Sequence, residues 1–379
     1  MDFLSGAPTY IVAFLLVLTL VVFVHEWGHF IVARLNGVRV EVFSIGFGPE
    51  LTGFYDRHGT RWRLSAIPLG GYVKFYGDAS AASTPDSDAV DHMTAAERAV
   101  SFHHKRVGQR AAVVAAGPVA NFIFAILILA VTAATFGHQY TPPVVGEVLP
   151  GSVAEEAGIR AGDRIVSING SSVERFDQIF QAVALSAETE LEVGIERDGA
   201  TRILAVTPRR VVADDGFGGK QRRGQLGIRS TAERELRQYG PIEAIGVGVR
   251  DTWNVISTTM TYLGRFATGR ESGEELGGPA RIFFMSGEVA KVSWFALILL
   301  AAQLSVSIGL INLFPIPLLD GGHLLYYGVE AVRGRPLGER AQEYGFRFGL
   351  AVVLALFLFA TWNDLVYLRV VPFLSKLFS

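Results

Sequence analysis

Long runs of apolar residues, separated by polar segments, dominate the pattern of this chain. Four of these runs are long enough to cross a lipid bilayer as α-helices, which takes about 20 residues. The predicted spans cover 10–33, 111–136, 293–318 and 348–368. No basic residue precedes the first run and no convincing cleavage site follows it, so we expect a retained span rather than a cleaved signal peptide.

The polar segments carry the patterns of smaller elements. Residues 38–76 alternate between polar and apolar positions, which predicts β-hairpins in a loop that returns toward the membrane. Small and acidic residues at 78–91 predict a flexible tip. Residues 233–290 have the spacing of amphipathic helices, which we expect to lie outside the bilayer.

Residues 142–230 have the pattern of a small α+β domain. Its predicted elements are strands at 144–148 and 164–170, a helix over 176–187, and a hairpin of 191–196 with 201–207. The run P-G-S-x-A-x-x-A-G-I-x-x-G-D-x-I-x-x-I-N-G resembles a PDZ domain, and Leu226, Gly227 and Ile228 resemble its peptide-carboxylate loop, placed last as in circularly permuted members. The resemblance implies a domain that binds peptide C-termini or that only blocks the access of bulky substrates.

Composition and charge also favour a membrane protein. Hydrophobic residues make up 50 % of the chain and charged residues 18 %, whereas soluble domains carry about 25 % charged residues. The net charge of −2 argues against a nucleic-acid partner, and the absence of cysteine excludes disulfides, thiolate metal sites and cysteine nucleophiles. Lys and Arg concentrate between the first and second spans and between the third and fourth. We therefore expect both of these loops to face the cytoplasm, and both termini to face outward.

A candidate metal site lies near the end of the first span, in the sequence H-E-x-x-H. His25 and His29 are four residues apart, so on a helix both imidazoles face the same side and can hold one metal ion. Glu26 lies close enough on that helix to take a proton from a water molecule at the metal. Ionisable groups within a membrane span are costly, and by default they are functional.

Zinc in hydrolytic sites usually has three protein ligands, so one further ligand is needed. Asp320 is the predicted third ligand, because it follows two prolines that break the third span at the same depth as the histidines. His323 is the alternative, as a ligand, as a support for one, or as a plain packing residue. Asn121, inside the second span, needs a polar partner, either in helix packing or at the active site. Asp364 is expected to be an interfacial polar group, and the other histidines have no assigned role.

The order of these motifs resembles the site-2 protease family of intramembrane zinc metalloproteases. The motifs are H-E-x-x-H, G-P-x-x-N at 117–121, N-x-x-P-x-P-x-L-D-G at 312–321 and the PDZ-like segment before the third span. Within the family, the chain is most similar to the bacterial regulator of sigma-E proteases, in a form with one PDZ domain where the enterobacterial members have two. The resemblance implies one Zn²⁺ held by His25, His29 and Asp320, with Glu26 as the catalytic base.

Further residues are assigned only through this resemblance. Asn312 is expected to contact the backbone of the substrate. The 38–76 loop, with Gly70 and Gly71, matches a membrane-re-entrant β element that pairs with substrate in strand form. The PDZ-like loop at 226–228 is the third expected substrate contact.

The expected fold is a polytopic α-helical membrane protein with four transmembrane helices, a membrane-re-entrant β-hairpin loop and one extracytoplasmic PDZ domain. Its expected segments are 1–36 (first transmembrane helix), 37–110 (cytoplasmic-side loop), 111–137 (second helix), 142–230 (PDZ domain), 231–291 (extracytoplasmic helices), 292–323 (third helix) and 345–370 (fourth helix).

The expected activity is hydrolysis within the transmembrane segments of single-span proteins, such as anti-sigma factors, after a first extracytoplasmic cut. The expected location is the bacterial inner membrane, with the active site toward the cytoplasm. Two other functions compete with this one. A metal transporter would need a polar path across the bilayer, and a PDZ-bearing scaffold would not need H-E-x-x-H.

Overall fold

The computed structural model describes residues 2–79, 92–214, 220–231, 235–269, 273 and 276–367. Most of the predicted tip at 78–91 lies outside these described residues. The chain forms two compact units, which are described separately. The first comprises Met1–Leu129, Gly248–Ser257 and Leu276–Asp364, and the second comprises Ala130–Val247, Thr258–Glu275 and Leu365–Ser379.

The secondary structure follows the predicted order. In chain order, the helices are α1 (Asp2–Leu35), α2 (Ala95–Val100), α3 (Val107–Thr135), α4 (Val153–Glu156), α5 (Phe176–Ala184), α6 (Pro241–Ala267), α7 (Pro279–Val292), α8 (Trp294–Asn312), α9 (Asp320–Arg333) and α10 (Glu339–Tyr367). The strands are β1 (Val40–Tyr55), β2 (Arg61–Phe75), β3 (His138–Tyr140), β4 (Val145–Val148), β5 (Arg164–Ile168), β6 (Ser171–Ser172), β7 (Leu191–Arg197), β8 (Ala200–Val206), β9 (Arg209–Asp214), β10 (Lys220–Gln225), β11 (Ile228–Ser230) and β12 (Glu235–Arg237).

Among the described residues, four helices are long and apolar enough to cross a membrane, which agrees with the predicted number. They are Ala7–Leu35, Val107–Thr135, Trp294–Asn312 and Arg340–Tyr367. The third is shorter than predicted, because α8 ends at Asn312 instead of continuing to 318. Pro315 and Pro317 cannot donate the hydrogen bonds of a continued helix, so the chain turns and a separate helix, α9, begins at Asp320.

Apolar packing holds α1 at the centre of the first unit. One cluster joins α1 to α7 and α8, and its buried members are Ala13, Val17, Val21, Ala290, Leu297, Leu300 and Ala301. A second cluster, which includes Phe30 and Phe43, packs the β1–β2 sheet against α1. The predicted helices of the 233–290 segment are present as α6 and α7. Their location relative to the bilayer stays a prediction.

The 38–76 loop forms the predicted β structure, in a more folded arrangement than a simple hairpin. β1 and β2 pair antiparallel with many irregularities of register. Phe43, in the first half of β1, has partners on both sides, because it pairs with both Val73 and Trp62. The second half of β1 pairs with the first half of β2, as in the pair Phe54 and Trp62. The segment 71–75 therefore lies beside the first half of β1, away from the turn that joins the two strands.

The second unit contains a small α+β domain with the elements predicted for 142–230. Its main sheet has the strand order β6-β5-β7-β8, while β4 pairs with β11 and β9 pairs with β10. The predicted β7–β8 hairpin turns at Asp198 and Gly199, which have φ values of 51° and 76° and so suit the tight turn between twisted strands. The buried core includes Ile165, Ile179 and Leu226. The helix α5 ends at Ala184, three residues earlier than predicted.

Candidate metal centre

Helix α1 presents both histidines of the H-E-x-x-H sequence on one face. His25 and His29 are 8 % and 9 % exposed, so both imidazoles are removed from solvent. Their Nε2 atoms lie 3.3 Å apart, with the two rings nearly perpendicular. The helical repeat thus brings two nitrogen ligands to one point, as the sequence predicts.

Asp320 completes this group from the first position of α9. Its Oδ2 atom lies 3.1 Å from Nε2 of His25 and 3.5 Å from Nε2 of His29. The two glycines that follow allow this position. A Cβ at Gly321 would lie 2.2 Å from the carbonyl oxygen of Leu313, and a Cβ at Gly322 would lie 2.4 Å from that of Ile316. Only residues without a side chain let α9 begin so close to the turn that follows α8.

The chemistry of these three side chains fits a zinc ion. One ligand atom from each of His25, His29 and Asp320 lies within 4.8 Å of the other two. Oδ2 of Asp320 is buried and makes no hydrogen bond despite its two imidazole neighbours, which is costly unless a cation is held there. Two imidazoles and a carboxylate form a common set of zinc ligands. His323 is not a member of this cluster.

Two contacts behind the histidines orient their rings. Nδ1 of His29 lies 2.9 Å from the carbonyl oxygen of Val113, and Nδ1 of His25 lies 3.2 Å from Nδ2 of Asn121. Both partners belong to α3, and both leave Nε2 directed at Asp320. Outer contacts of this kind fix the orientation of metal-ligating histidines. The sequence had left the role of Asn121 open and gave no sign of the Val113 contact, since a backbone carbonyl has no signature in a sequence.

Glu26 and Asn312 line a cavity of about 220 Å³ together with His25, His29 and Asp320. The edge segment 71–73 and His323 also line this cavity. His323 therefore lies at the site, although it is outside the group of converging ligand atoms.

The two glycines predicted to bind substrate have different surroundings. Gly71 lies against Glu26, since a Cβ there would be 3.3 Å from Cγ of Glu26 and 2.7 Å from the carbonyl oxygen of Ser44. Gly70 has a φ of 120°, and a Cβ there would be 2.5 Å from the ring of Phe47. Gly71 thus borders the cavity, while Gly70 makes room for an aromatic side chain of the sheet.

The remaining predicted substrate residues, Leu226, Gly227 and Ile228, belong to the second unit. Leu226 is buried, Gly227 has a φ of 83°, and Ile228 pairs with Val148. The carbonyl oxygens of Leu226 and Gly227 accept hydrogen bonds from the amides of Ala154 and Leu149. This loop is therefore held by its carbonyl groups.

Four apolar helices, with His25 and His29 on the first of them and Asp320 beside these histidines, fit a multi-pass membrane metalloprotease. The chain belongs to Peptidase family M50, the site-2 protease family, whose pattern it matches over residues 13–356. It is 50 % identical over 366 residues to a protein of Agrobacterium fabrum named as a zinc metalloprotease, covering 96 % of each chain. It is 42 % identical to Metalloprotease MmpA of Caulobacter vibrioides, covering 97 % of this chain and 98 % of that one. A Rickettsia conorii protein, also named as a zinc metalloprotease, is 33 % identical. The chain is accordingly a zinc metalloprotease.

Proposed function

We propose that this metalloprotease cleaves single-span membrane proteins, such as anti-sigma factors, within their transmembrane segments after a first extracytoplasmic cut. The observation that carries the proposal is the position of the three-ligand cluster. His25 and His29 lie within an apolar helix that is long enough to span the membrane, and Asp320 lies beside them. An active site at that depth acts on peptide bonds that are themselves inside the bilayer.

In this proposal His25, His29 and Asp320 hold the zinc ion, and Glu26 is the general base. Zinc, when bound, supplies Lewis-acid chemistry that polarises the scissile carbonyl and makes water a better nucleophile near pH 7. The carboxylate of Glu26 takes the proton of the attacking water and passes it to the leaving amine. Glu26 lines the cavity together with the segment 71–73.

A substrate helix must unwind before attack, because its peptide bonds are enclosed in its own hydrogen bonding. The segment 71–73 borders the cavity, and Gly71 carries no side chain that would keep a second strand away from Glu26. We infer that an unwound substrate pairs with this segment as an added strand. The side-chain amide of Asn312, in the same cavity, then replaces some of the backbone hydrogen bonds that the substrate loses.

We also propose that the domain at 142–230 is a PDZ domain that admits only shortened substrates. In a trans peptide group the C=O and N–H bonds point in opposite directions. The carbonyl of Leu226 accepts from Ala154 and that of Gly227 from Leu149, so the N–H groups of Gly227 and Ile228 point away from these partners. Consecutive N–H groups aimed outward suit a terminal carboxylate of a trimmed substrate.

The proposed location is the bacterial inner membrane, with both termini in the periplasm and the site toward the cytoplasmic side. The basic residues support this orientation. They include Arg34 at the end of α1, Arg106 just before α3 and Arg110 in the first turn of α3, all close to the segment that joins the first two spans.

The test compares purified wild type, Glu26→Gln and Glu343→Gln in detergent, with a truncated single-span substrate. Glu343 is a control, because it is an exposed glutamate on α10 that pairs with Arg347. We expect cleavage within the span by wild type and Glu343→Gln, none by Glu26→Gln, and equal zinc content in all three. Equal cleavage by Glu26→Gln would contradict the assigned base. Zinc binding without cleavage of any substrate would favour a metal-binding scaffold.

A further inference from the structure

Asn121 is a polar residue that lies buried in the middle of α3. It is fully buried, and its amide nitrogen lies 3.2 Å from Nδ1 of His25. Its other amide atom, Oδ1, is buried and has no hydrogen-bond partner. The amide therefore makes one side-chain hydrogen bond, and that bond goes to a proposed zinc ligand.

The packing of α3 against α8 fixes the position of this amide. The backbone oxygen of Asn121 accepts a hydrogen bond of 3.1 Å from Oγ of Ser305. A Cβ at Gly309 would lie 3.1 Å from Cβ of Asn121, so a larger residue at Gly309 would press on this position. The contact of α3 with α8 therefore fixes the position of Asn121.

The chemistry of His25 decides which amide atom must face it. His25 can give its Nε2 lone pair to a metal ion only if the ring proton is on Nδ1. Nδ1–H is a donor and requires an acceptor, whereas the amide nitrogen of Asn121 is itself a donor. Nitrogen and oxygen of an amide exchange places by a half-turn of the group, and their assignment depends on the hydrogen-bond network. One buried atom of the amide stays unpaired in either orientation, so pairing of the amide favours neither. The Nδ1 proton of His25 requires an acceptor, and this selects the orientation in which the amide oxygen faces His25.

Nδ1 of His29 also has a partner on α3, and the chemistry of that partner fixes which atom is the donor. This Nδ1 lies 2.9 Å from the carbonyl oxygen of Val113, which can only accept a hydrogen bond. Nδ1 of His29 therefore carries the proton, and its Nε2 lone pair faces Asp320. For His25 the corresponding acceptor is supplied by a side chain, which a mutation can remove.

We propose that Asn121 is a positioning residue for the metal site: its amide oxygen accepts the Nδ1 proton of His25 and holds the ring in its metal-binding tautomer. This inference rests on the proposed role of His25 as a zinc ligand. Second contacts of this type typically contribute about 10- to 100-fold to metal affinity. Asn121 takes no part in the chemical step itself.

The experiment measures zinc affinity of the full chain in detergent, by competition with a chelator, together with the visible absorption of the Co²⁺-substituted protein. Asn121→Leu keeps the size of the side chain but removes the acceptor. Asn121→Asp keeps an acceptor oxygen, and His25→Ala removes the ligand. Ser286→Ala is the control, because Ser286 is also fully buried in a helix and its hydroxyl makes no hydrogen bond.

We expect Asn121→Leu to weaken zinc binding about 10- to 100-fold and to change the Co²⁺ spectrum. Asn121→Asp should stay close to wild type, and the metal-free variants should melt at similar temperatures. Unchanged affinity in Asn121→Leu, with zinc lost in His25→Ala, would overturn this inference alone. Unchanged affinity in His25→Ala would overturn the ligand assignment as well. If Asn121→Leu fails to fold, Asn121→Asp decides, since a loss beyond about tenfold contradicts an acceptor role.

Discussion

Gly117 on α3 lies directly against the imidazole of His29 on α1. A Cβ at Gly117 would be 2.3 Å from Nε2 of His29 and 2.9 Å from Cε1 of His25. The nearest atoms therefore include the nitrogen that faces Asp320. The absence of a side chain at this position lets α3 support the two histidines without covering their ligand atoms.

Gly117→Ala should displace the histidines and abolish most of the activity. Misplacing a catalytic group by about 1 Å can cost about 100-fold in rate, and we expect a loss of at least that size together with reduced zinc content. Gly108→Ala, near the start of α3, is the matched control, because a Cβ there meets nothing within 4 Å. It should be neutral or stabilise the helix by up to about 1 kcal/mol. Normal zinc content in Gly117→Ala would contradict the steric argument.

Asn312→Ala should separate substrate binding from metal binding. Asn312 lines the cavity with Glu26 but is not part of the ligand cluster. Losing one hydrogen bond to an extended substrate should slow cleavage about tenfold, which corresponds to about 1.4 kcal/mol. Zinc content should equal that of wild type. The measurement is cleavage rate alongside metal analysis of the same preparation, and loss of zinc would rule out the proposed contact with substrate.

Removing residues 142–230 should change which substrates are cut. If this domain admits only shortened proteins, its deletion should allow cleavage of a single-span substrate that keeps its whole extracytoplasmic part. The variant should still cut the trimmed substrate, which checks that the membrane region is intact. Continued resistance of the untrimmed substrate would exclude the gatekeeper role.

Local patterns predicted the ligand set, because the spacing of His25 and His29 needs only a helical repeat. Asp320 was predicted from the helix-breaking prolines before it, and the structure brings it to both histidines. The supporting contacts of Gly117 and Val113 depend on how α1 packs on α3, and nothing in either segment alone specifies that. Packing also decides the environment of His323, which lines the cavity.

Two further features of the fold could not be predicted from local sequence. The alternation of 38–76 predicted strands, but not that Phe43 pairs on both sides, since register depends on turns and on burial against α1. Asp364 was expected to be an interfacial polar group. Its depth in the bilayer stays a prediction, but the structure buries its carboxylate, which accepts hydrogen bonds from the amides of Gly278, Ala280 and Arg281 at the start of α7. Capping across such a distance in sequence has no local signature.

The ion pair of Asp163 and Arg197 should make the stability of the 142–230 domain depend on pH. Asp163 is 1 % exposed and accepts two hydrogen bonds of 2.6 Å from Arg197 and one of 2.8 Å from the amide of Arg160. Burial raises the pKa of this carboxyl, but the hydrogen bonds and charge of Arg197 lower it by more. The net effect is a pKa below the usual 3.8.

A carboxyl whose folded pKa is depressed stabilises the fold above its unfolded pKa, and this stabilisation is lost as the pH falls through the folded value. We therefore expect Asp163→Asn to destabilise the domain at pH 7 by about 2 kcal/mol, and by less at pH 3, which lies below the unfolded pKa of about 3.9. Hydrogen exchange of the β5 and β7 amides in the full chain measures this difference. Asp198→Asn, in the exposed hairpin turn, serves as the control and should have little effect at either pH. An equal effect of Asp163→Asn at pH 7 and pH 3 would show that the charge of Asp163 does not stabilise the domain.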